Sequence, residues 1–267
     1  MFRAHSLLWN YLWVAPNLLL FILGFLIWKR GIATKLRAFF AFTILSAISE
    51  LAVYVADVLP SVGPPTFWGI NWAGLLIEDV LKFVIIGEIF AQIFGSYRSV
   101  ARLGRLLIQW VGVALILVAT AAAAYAPQNS QFGIVSGFHL LEQSVYLIES
   151  GLLVFIFLFS FYFHLAWERR LFGITVGLSI SSCVHLASWA LIDNARLPDS
   201  KRTILVFVNM ATYHLVVFIW YYYLLVPGKT TRNAPQSQGP SPPGLSVDQP
   251  EYQLEAWNEE LERLIHK

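Results

Sequence analysis

Long apolar runs separated by short polar stretches divide most of this chain into segments of similar length. About 20 apolar residues are needed to cross the hydrocarbon core of a bilayer as a helix. Seven segments reach that length, and they cover residues 7–28, 38–59, 68–94, 106–126, 135–164, 171–193 and 203–226. Connections rich in turn formers, such as PSVGPP and APQNSQFG, separate them. The pattern therefore predicts an all-α polytopic membrane bundle of seven transmembrane helices over residues 1–227.

The distribution of basic residues predicts how this bundle is oriented. Lys and Arg occur in the 1–2, 3–4 and 5–6 loops and after the seventh span, whereas the 2–3 and 4–5 loops have none. The 6–7 loop, with Arg196, Lys201 and Arg202, is the exception. Because basic loops stay on the cytoplasmic side, the N-terminus is expected outside and the C-terminus inside. We expect a multi-pass protein of the cell membrane, in a bacterium the inner membrane.

The composition agrees with a membrane protein whose main partner is the lipid bilayer. Hydrophobic residues make up 57% of the 267 residues and charged residues only 13%, against about 25% charged residues in soluble domains. The single cysteine, Cys183, excludes an intrachain disulfide and a cysteine metal cluster. No nucleic-acid partner is expected.

The last 40 residues change character abruptly. Residues 228–250 are rich in Pro, Ser, Gln and Gly and predict a disordered cytoplasmic linker. Residues 251–267 predict a short amphipathic cytoplasmic helix, with an acidic face opposite an apolar one. The apolar face consists of Leu254, Trp257, Leu261, Leu264 and Ile265. Such a helix either orders only on contact or docks on a cytoplasmic partner or a second copy of the chain; its acidic face disfavours binding to anionic lipid.

Acidic residues inside the predicted spans are the most informative polar feature. The spans contain seven acids and one basic residue, Lys82, a formal net charge of −6. A low-dielectric interior does not tolerate that charge, so some acids must be protonated, reach water or neutralise a cation.

Helical spacing and depth predict that these groups meet. Glu78 precedes Lys82 by four residues, the favourable order for a helical ion pair. His139, Glu142 and Glu149 share one face of their span. At about 1.5 Å per residue, the polar groups of five spans fall between the midplane and the outer surface. We therefore expect an outward-facing polar cavity, whose candidate ligand-binding residues are Glu50, Glu78, Asp79, Lys82, His139, Glu142, Glu149, His185 and His214. The structural alternative is that they are interhelical hydrogen-bonding groups, worth about 0.6–2 kcal/mol each.

Several reactions are disfavoured by the absence of their motifs. The last span has no lysine for a retinal Schiff base, and no H-E-x-x-H, Walker, dinucleotide or kinase signature occurs. No catalytic residue or metal ligand is assigned, and the cofactor is unknown. A zinc site across helices, or haem between His139, His185 and His214, stays an open alternative.

In layout the chain resembles the seven-helix sensor regions at the N-terminus of some bacterial histidine kinases, although it ends shortly after the seventh span. It also resembles uncharacterised bacterial seven-helix membrane proteins that close with a short helix like LEAWNEELERLIHK. The resemblance implies a sensor or ligand-binding module that signals through its cytoplasmic tail. An ion- or proton-coupled transporter is the alternative, and an intramembrane metal-dependent enzyme a third.

Overall fold

Six helices make up the described part of the chain. The computed structural model describes residues 6–94, 131–162, 165, 167–194 and 198–227, and the isolated positions 106, 110, 113 and 117. The helices are α1 (Leu7–Lys29), α2 (Arg37–Val58), α3 (Pro64–Ile93), α4 (Gln131–Tyr162), α5 (Arg169–Asn194) and α6 (Asp199–Leu225). These residues contain no strand, so the all-α prediction is confirmed for them.

Five of the six helices are long and apolar enough to cross a membrane. The qualifying stretches are Leu7–Lys29, Arg37–Val58, Glu142–Tyr162, Arg169–Ile192 and Lys201–Leu225. The exception, α3, has 30 residues but includes Glu78, Asp79, Lys82 and Glu88. Large apolar side chains such as Phe25, Leu158 and Leu215 are about half exposed or more on the outside of the bundle. Together these features indicate a multi-pass integral membrane protein whose outer surface contacts lipid.

The described helices form a closed ring. Each helix packs against the next in the order α1 to α6, and α6 returns to pack against α1. Most neighbouring helices are antiparallel, as the contacts of α2 with α3 show. Ser46 of α2 meets Glu78 of α3. Ala38, which is two turns earlier on α2, meets Glu88, which is nearly three turns later on α3, so the two helices run in opposite directions. Two pairs are instead parallel. One is α1 with α6, and the other is α3 with α4.

The parallel direction of α3 and α4 follows from their contacts. Lys82 lies over the Tyr146 ring, and Phe94, twelve residues further along, meets Phe159, thirteen residues further along α4. The chain therefore leaves α3 at one end of the bundle and begins α4 at the other.

The apolar core occupies one half of the bundle along its axis. Its fully buried members lie towards the end of α1, the start of α2 and the end of α3, and they include Leu23, Phe39 and Ile86. Trp220 of α6 joins them, with its ring 5.1 Å from Phe39 and 5.9 Å from Phe42 in edge-on contacts. The polar side chains of the interior lie in the other half of the bundle.

At the core end of the bundle, two arginines bind the carbonyl groups at the end of α6. Arg30, after α1, donates to the Leu225 carbonyl at 2.7 Å, and Arg169, at the start of α5, donates to the Val226 carbonyl at 2.9 Å. Cationic side chains at a helix C-terminus satisfy its unpaired carbonyls and interact favourably with its dipole. These contacts place the end of α1, the start of α5 and the end of α6 together.

Small residues bring α5 and α6 close. Gly173 packs against the Tyr223 ring and Gly177 against the Trp220 indole. This is the close approach that small residues four apart allow between membrane helices. It places the next positions on the same stripe, Ser181 and His185, towards the interior.

The helices match the predicted spans to within a few residues at each end. The predicted fourth span, 106–126, lies outside the described residues apart from its four isolated positions. The linker 228–250 and the terminal helix 251–267 also lie outside them.

Candidate functional site

A cavity of about 310 Å³, which contains charged, polar and aromatic side chains, fills the half of the bundle opposite the core. All six described helices contribute to its wall. The lining residues with polar or aromatic side chains are Trp13, Asn17, Phe42, Glu50, Glu78, Lys82, Glu142, Tyr146, Ser181, His185, Trp189, Asn209, Tyr213 and Trp220. Phe42, Trp220 and Leu178 form the floor, because Phe42 and Trp220 also belong to the core. Five residues predicted from the sequence meet here: Glu50, Glu78, Lys82, Glu142 and His185.

Two of the lining carboxylates, from α2 and α3, are held by neutral donors. Glu50 accepts a hydrogen bond of 3.1 Å from the indole Nε1 of Trp13 on α1. Glu78 accepts one from the Ser46 hydroxyl on α2. Each bond joins two helices, so the acids also fix the helix packing of α1, α2 and α3.

Lys82 makes its ion pair with Asp79, not with Glu78. Its Nζ lies 3.5 Å from Asp79 Oδ1, one turn earlier on α3. The i, i+4 spacing favoured Glu78, but that carboxylate is bonded to Ser46 on α2. The ammonium group also lies 5.0 Å from the centre of the Tyr146 ring, a cation–π contact with α4.

The histidine of α5 is part of an aromatic wall. His185 stacks on Tyr146, with ring centres 4.9 Å apart and planes at 27°. Its Nδ1 lies 3.2 Å from the Ser181 carbonyl oxygen, so this nitrogen carries the proton if the contact is a hydrogen bond. Lys82 and His185 therefore both contact the Tyr146 ring.

Amides complete the polar wall. Asn17 donates to the Trp13 carbonyl oxygen at 2.7 Å and accepts from the Tyr213 hydroxyl at 3.2 Å. Asn209 accepts from the Ser188 hydroxyl at 2.9 Å. The bonds of Asn17 with Tyr213 and of Asn209 with Ser188 join two helices each, the role that such groups often have in membrane bundles.

Glu149 lies deeper than the other acids. It is 1% exposed, and neither carboxylate oxygen has a hydrogen-bond partner within the described part of the chain. Lys82 and Asp79 are both within electrostatic range of it. A buried carboxylate without hydrogen bonds costs stability, about 1–3 kcal/mol or more. Burial of this carboxylate is therefore unfavourable unless its interaction with Lys82 compensates for the cost.

His214, which was expected to line the cavity, is not among its lining residues. Its ring lies 5.6 Å from Tyr11 and 4.9 Å from Phe218, both of which are exposed on the outside of the bundle. His214 follows the cavity residue Tyr213, and one residue along a helix turns the side chain by about 100°. The two side chains therefore point in different directions.

Other residues of the predicted site lie outside the part of the chain whose side chains the structure describes. The backbone of α4 includes His139, but its side chain is not among those described. The apolar face of the terminal helix, Leu254, Trp257, Leu261, Leu264 and Ile265, likewise stays a prediction. Asp79 forms the ion pair with Lys82 but is not among the residues that line the cavity.

Sequence reasoning missed the aromatic side chains of the cavity. In the sequence, Trp13 and Trp220 lie near the ends of their predicted spans, a position that is typical of an interfacial aromatic belt. In the structure, Trp13 donates a hydrogen bond to Glu50, and Trp220 forms part of the cavity floor. The nearest signal was the glycine spacing on α5, which indicates that a bulky side chain of a neighbouring helix fits there.

The described residues contain no group of three or more His, Cys, Asp and Glu side chains arranged to hold a metal ion. Comparisons with protein-family models, with curated proteins and with solved structures give no match.

Proposed function

We propose that this integral membrane protein is a ligand-binding sensor module, which binds a small molecule in its cavity and reports through its cytoplasmic tail. The observation that supports this proposal is the cavity itself. It has a volume of about 310 Å³, is lined from all six described helices and contains three carboxyl groups and one ammonium group from α2, α3 and α4. Ligand pockets are concave, largely apolar and contain a few convergent polar groups. Structural hydrogen bonds between helices require no such space.

The proposal includes seven spans, with 106–126 as the fourth. Its support is the parallel direction of α3 and α4, because a chain can begin both helices at the same end only by crossing back between them. The four described positions in that segment are helical and half-exposed or more: Leu106, Trp110, Val113 and Leu117. Their spacing of four, three and four residues is that of one helix face.

The proposed orientation puts the cavity on the outer side. The core end of the bundle contains Lys29, Arg30, Arg37 and Arg169, so the positive-inside rule assigns it to the cytoplasm. A ligand then enters from outside and meets the floor of Phe42 and Trp220. Signalling through such a floor requires two states of the bundle that bind the ligand unequally.

Native mass spectrometry of the full chain in lipid nanodiscs tests the binding function. We expect a small molecule to be retained at one copy per protein, and to be lost in the Glu78→Gln variant. Glu88→Gln is the matched control, because Glu88 lies on the same helix but bonds to the Ala38 amide at the core end. A ligand-free protein, or equal retention in both variants, contradicts the proposal.

The reporting role is tested on the tail. Deleting residues 229–267 should leave the retained molecule in place, because the tail follows the last helix. Hydrogen exchange of residues 251–267 in the full chain should differ between ligand-bound and ligand-depleted protein. Identical exchange in the two forms contradicts signalling through the tail.

An ion- or proton-coupled transporter is the second candidate, and Glu149 is the observation that favours it. A buried ionisable group beside a lysine is the kind of group that proton relays use. A transporter should keep its flux after deletion of 229–267, and lose it in Glu149→Gln. Liposomes with a trapped pH-sensitive dye measure this directly.

A further inference from the structure

We propose that the cavity takes a small organic cation, with its ammonium group between Glu50 and Glu78 and its carbon skeleton against the surrounding rings. This inference rests on the proposed ligand-binding function and names the chemical class of the ligand. It uses the two lining carboxylates of α2 and α3 and the aromatic side chains that sequence reasoning missed.

The charge of the wall is the first reason. Its ionisable side chains, apart from histidine and tyrosine, are three carboxylates and the one ammonium group of Lys82. Lys82 is already engaged, since its Nζ pairs with Asp79 at 3.5 Å and lies over the Tyr146 ring. Among the described residues, Lys82 therefore forms no ion pair with Glu50 or Glu78.

The partners of Glu50 and Glu78 are the second reason. Among the described residues, their hydrogen bonds come from neutral groups, the Trp13 indole and the Ser46 hydroxyl. An ionised carboxylate has two oxygens and about four acceptor positions, so each has capacity left. Two nearby carboxylates repel each other in a low-dielectric site, and a cation placed between them removes that repulsion.

The aromatic wall selects an organic cation over a metal ion. Rings of Trp13, Tyr146, Trp189, Tyr213 and Trp220 line the same space. The faces of such rings attract ammonium groups, and aromatic cages are a known way to bind quaternary ammonium ligands. The contact of Lys82 with Tyr146 shows that this wall already accommodates an ammonium group.

The size of the space agrees with this choice. A volume of about 310 Å³ is near the lower limit of ligand pockets, which span about 300–1,000 Å³. It is far larger than a dehydrated metal ion. The described side chains also offer no set of three or more His, Cys, Asp and Glu groups arranged around a metal.

Titration of the full chain in nanodiscs with tetramethylammonium, choline and phenethylammonium tests the inference. Each is compared with an uncharged analogue of the same shape, for example choline with 3,3-dimethylbutan-1-ol. Tryptophan fluorescence reports binding, because three lining residues are tryptophans. We expect at least one ammonium compound to bind with a dissociation constant below about 1 mM, which corresponds to a binding free energy of about −4 kcal/mol. Its uncharged analogue should bind at least tenfold more weakly.

Variants locate the site. Glu50→Gln and Glu78→Gln should each weaken binding of the ammonium compound at least tenfold, while Glu88→Gln leaves it unchanged. Trp28→Phe serves as the fluorescence control, because Trp28 is 63% exposed on the outside of the core half. Circular dichroism of each variant shows that the bundle remains helical.

The outcomes separate this inference from the proposed function. If the uncharged analogues bind as well as the cations, or sodium chloride competes as effectively as choline, the cation assignment is overturned. If none of the ammonium compounds binds but a neutral or anionic molecule is retained in native mass spectrometry, the ligand-binding function stands and this inference fails. If no molecule of any class binds, both fail.

Discussion

Replacing Gly177 by alanine tests the packing that forms the cavity floor. A Cβ atom at this position would come within 2.8 Å of Trp220 Cε2, and closer still to its Nε1. The indole cannot easily move away, because it is 1% exposed, packs edge-on against Phe39 and Phe42, and donates to the Ile174 carbonyl oxygen at 3.4 Å. The added methyl group must therefore separate α5 from α6.

The expected magnitude follows from two opposing effects. Overpacking a closely packed interior costs about 1–3 kcal/mol. Alanine gains up to about 1 kcal/mol over glycine within a helix. We therefore expect Gly177→Ala to lower the free energy of unfolding by about 1–2 kcal/mol.

Gly151→Ala is the matched control, since it makes the same change in a different environment. A Cβ at Gly151 meets nothing within 4 Å, so only the gain in helix propensity applies and stability should rise by up to about 1 kcal/mol. Unfolding by sodium dodecyl sulfate, followed by far-ultraviolet circular dichroism, measures both variants. A Gly177→Ala protein as stable as the wild type, or two variants that shift in the same direction, would refute the reasoning.

Two further predictions concern charged groups. Asp79→Asn should destabilise the bundle by about 3 kcal/mol, because it leaves the Lys82 ammonium group without its ion-pair partner. Combining Asp79→Asn with Lys82→Met should recover most of that loss in the same unfolding assay. If the losses of stability of the two single variants simply add in the double variant, the pairing is contradicted. Arg30→Ala and Arg169→Ala should each lower the free energy of unfolding by about 0.3–1 kcal/mol, because each removes a cation from the C-terminus of α6. Thermal unfolding in low and high salt measures this effect. A loss of stability that does not diminish in high salt would argue against the helix-dipole contribution.

The helices could be predicted from the sequence because their length and apolarity follow directly from the thickness of the hydrocarbon core. The predicted segment 7–28 and the observed helix Leu7–Lys29 show how close this is. The convergence of Glu50, Glu78 and Lys82 also followed from their depth along the helices. Depth depends only on the rise per residue, which is fixed.

The details of the site depend on helix rotation and register, which the sequence encodes only weakly. His214 is an example, because it directly follows the cavity residue Tyr213 in sequence, and two adjacent polar residues on a helix do not show which of them turns inward. The ion pair of Lys82 with Asp79 rather than Glu78 is another. It depends on Ser46 of a different helix, which holds Glu78 in a bond that spacing within α3 cannot reveal.

The shared aqueous cavity is tested most directly by the reactivity of single cysteines. Starting from Cys183→Ser, which removes the one native thiol, Ser181→Cys places a thiol on the cavity wall and Leu158→Cys places one on the outside, where the leucine is 66% exposed. A membrane-impermeant, water-soluble methanethiosulfonate reagent is added to intact cells. The account predicts rapid modification at 181, slowed by the ligand, and none at 158. An inert thiol at 181, or equal modification at both positions, would contradict it.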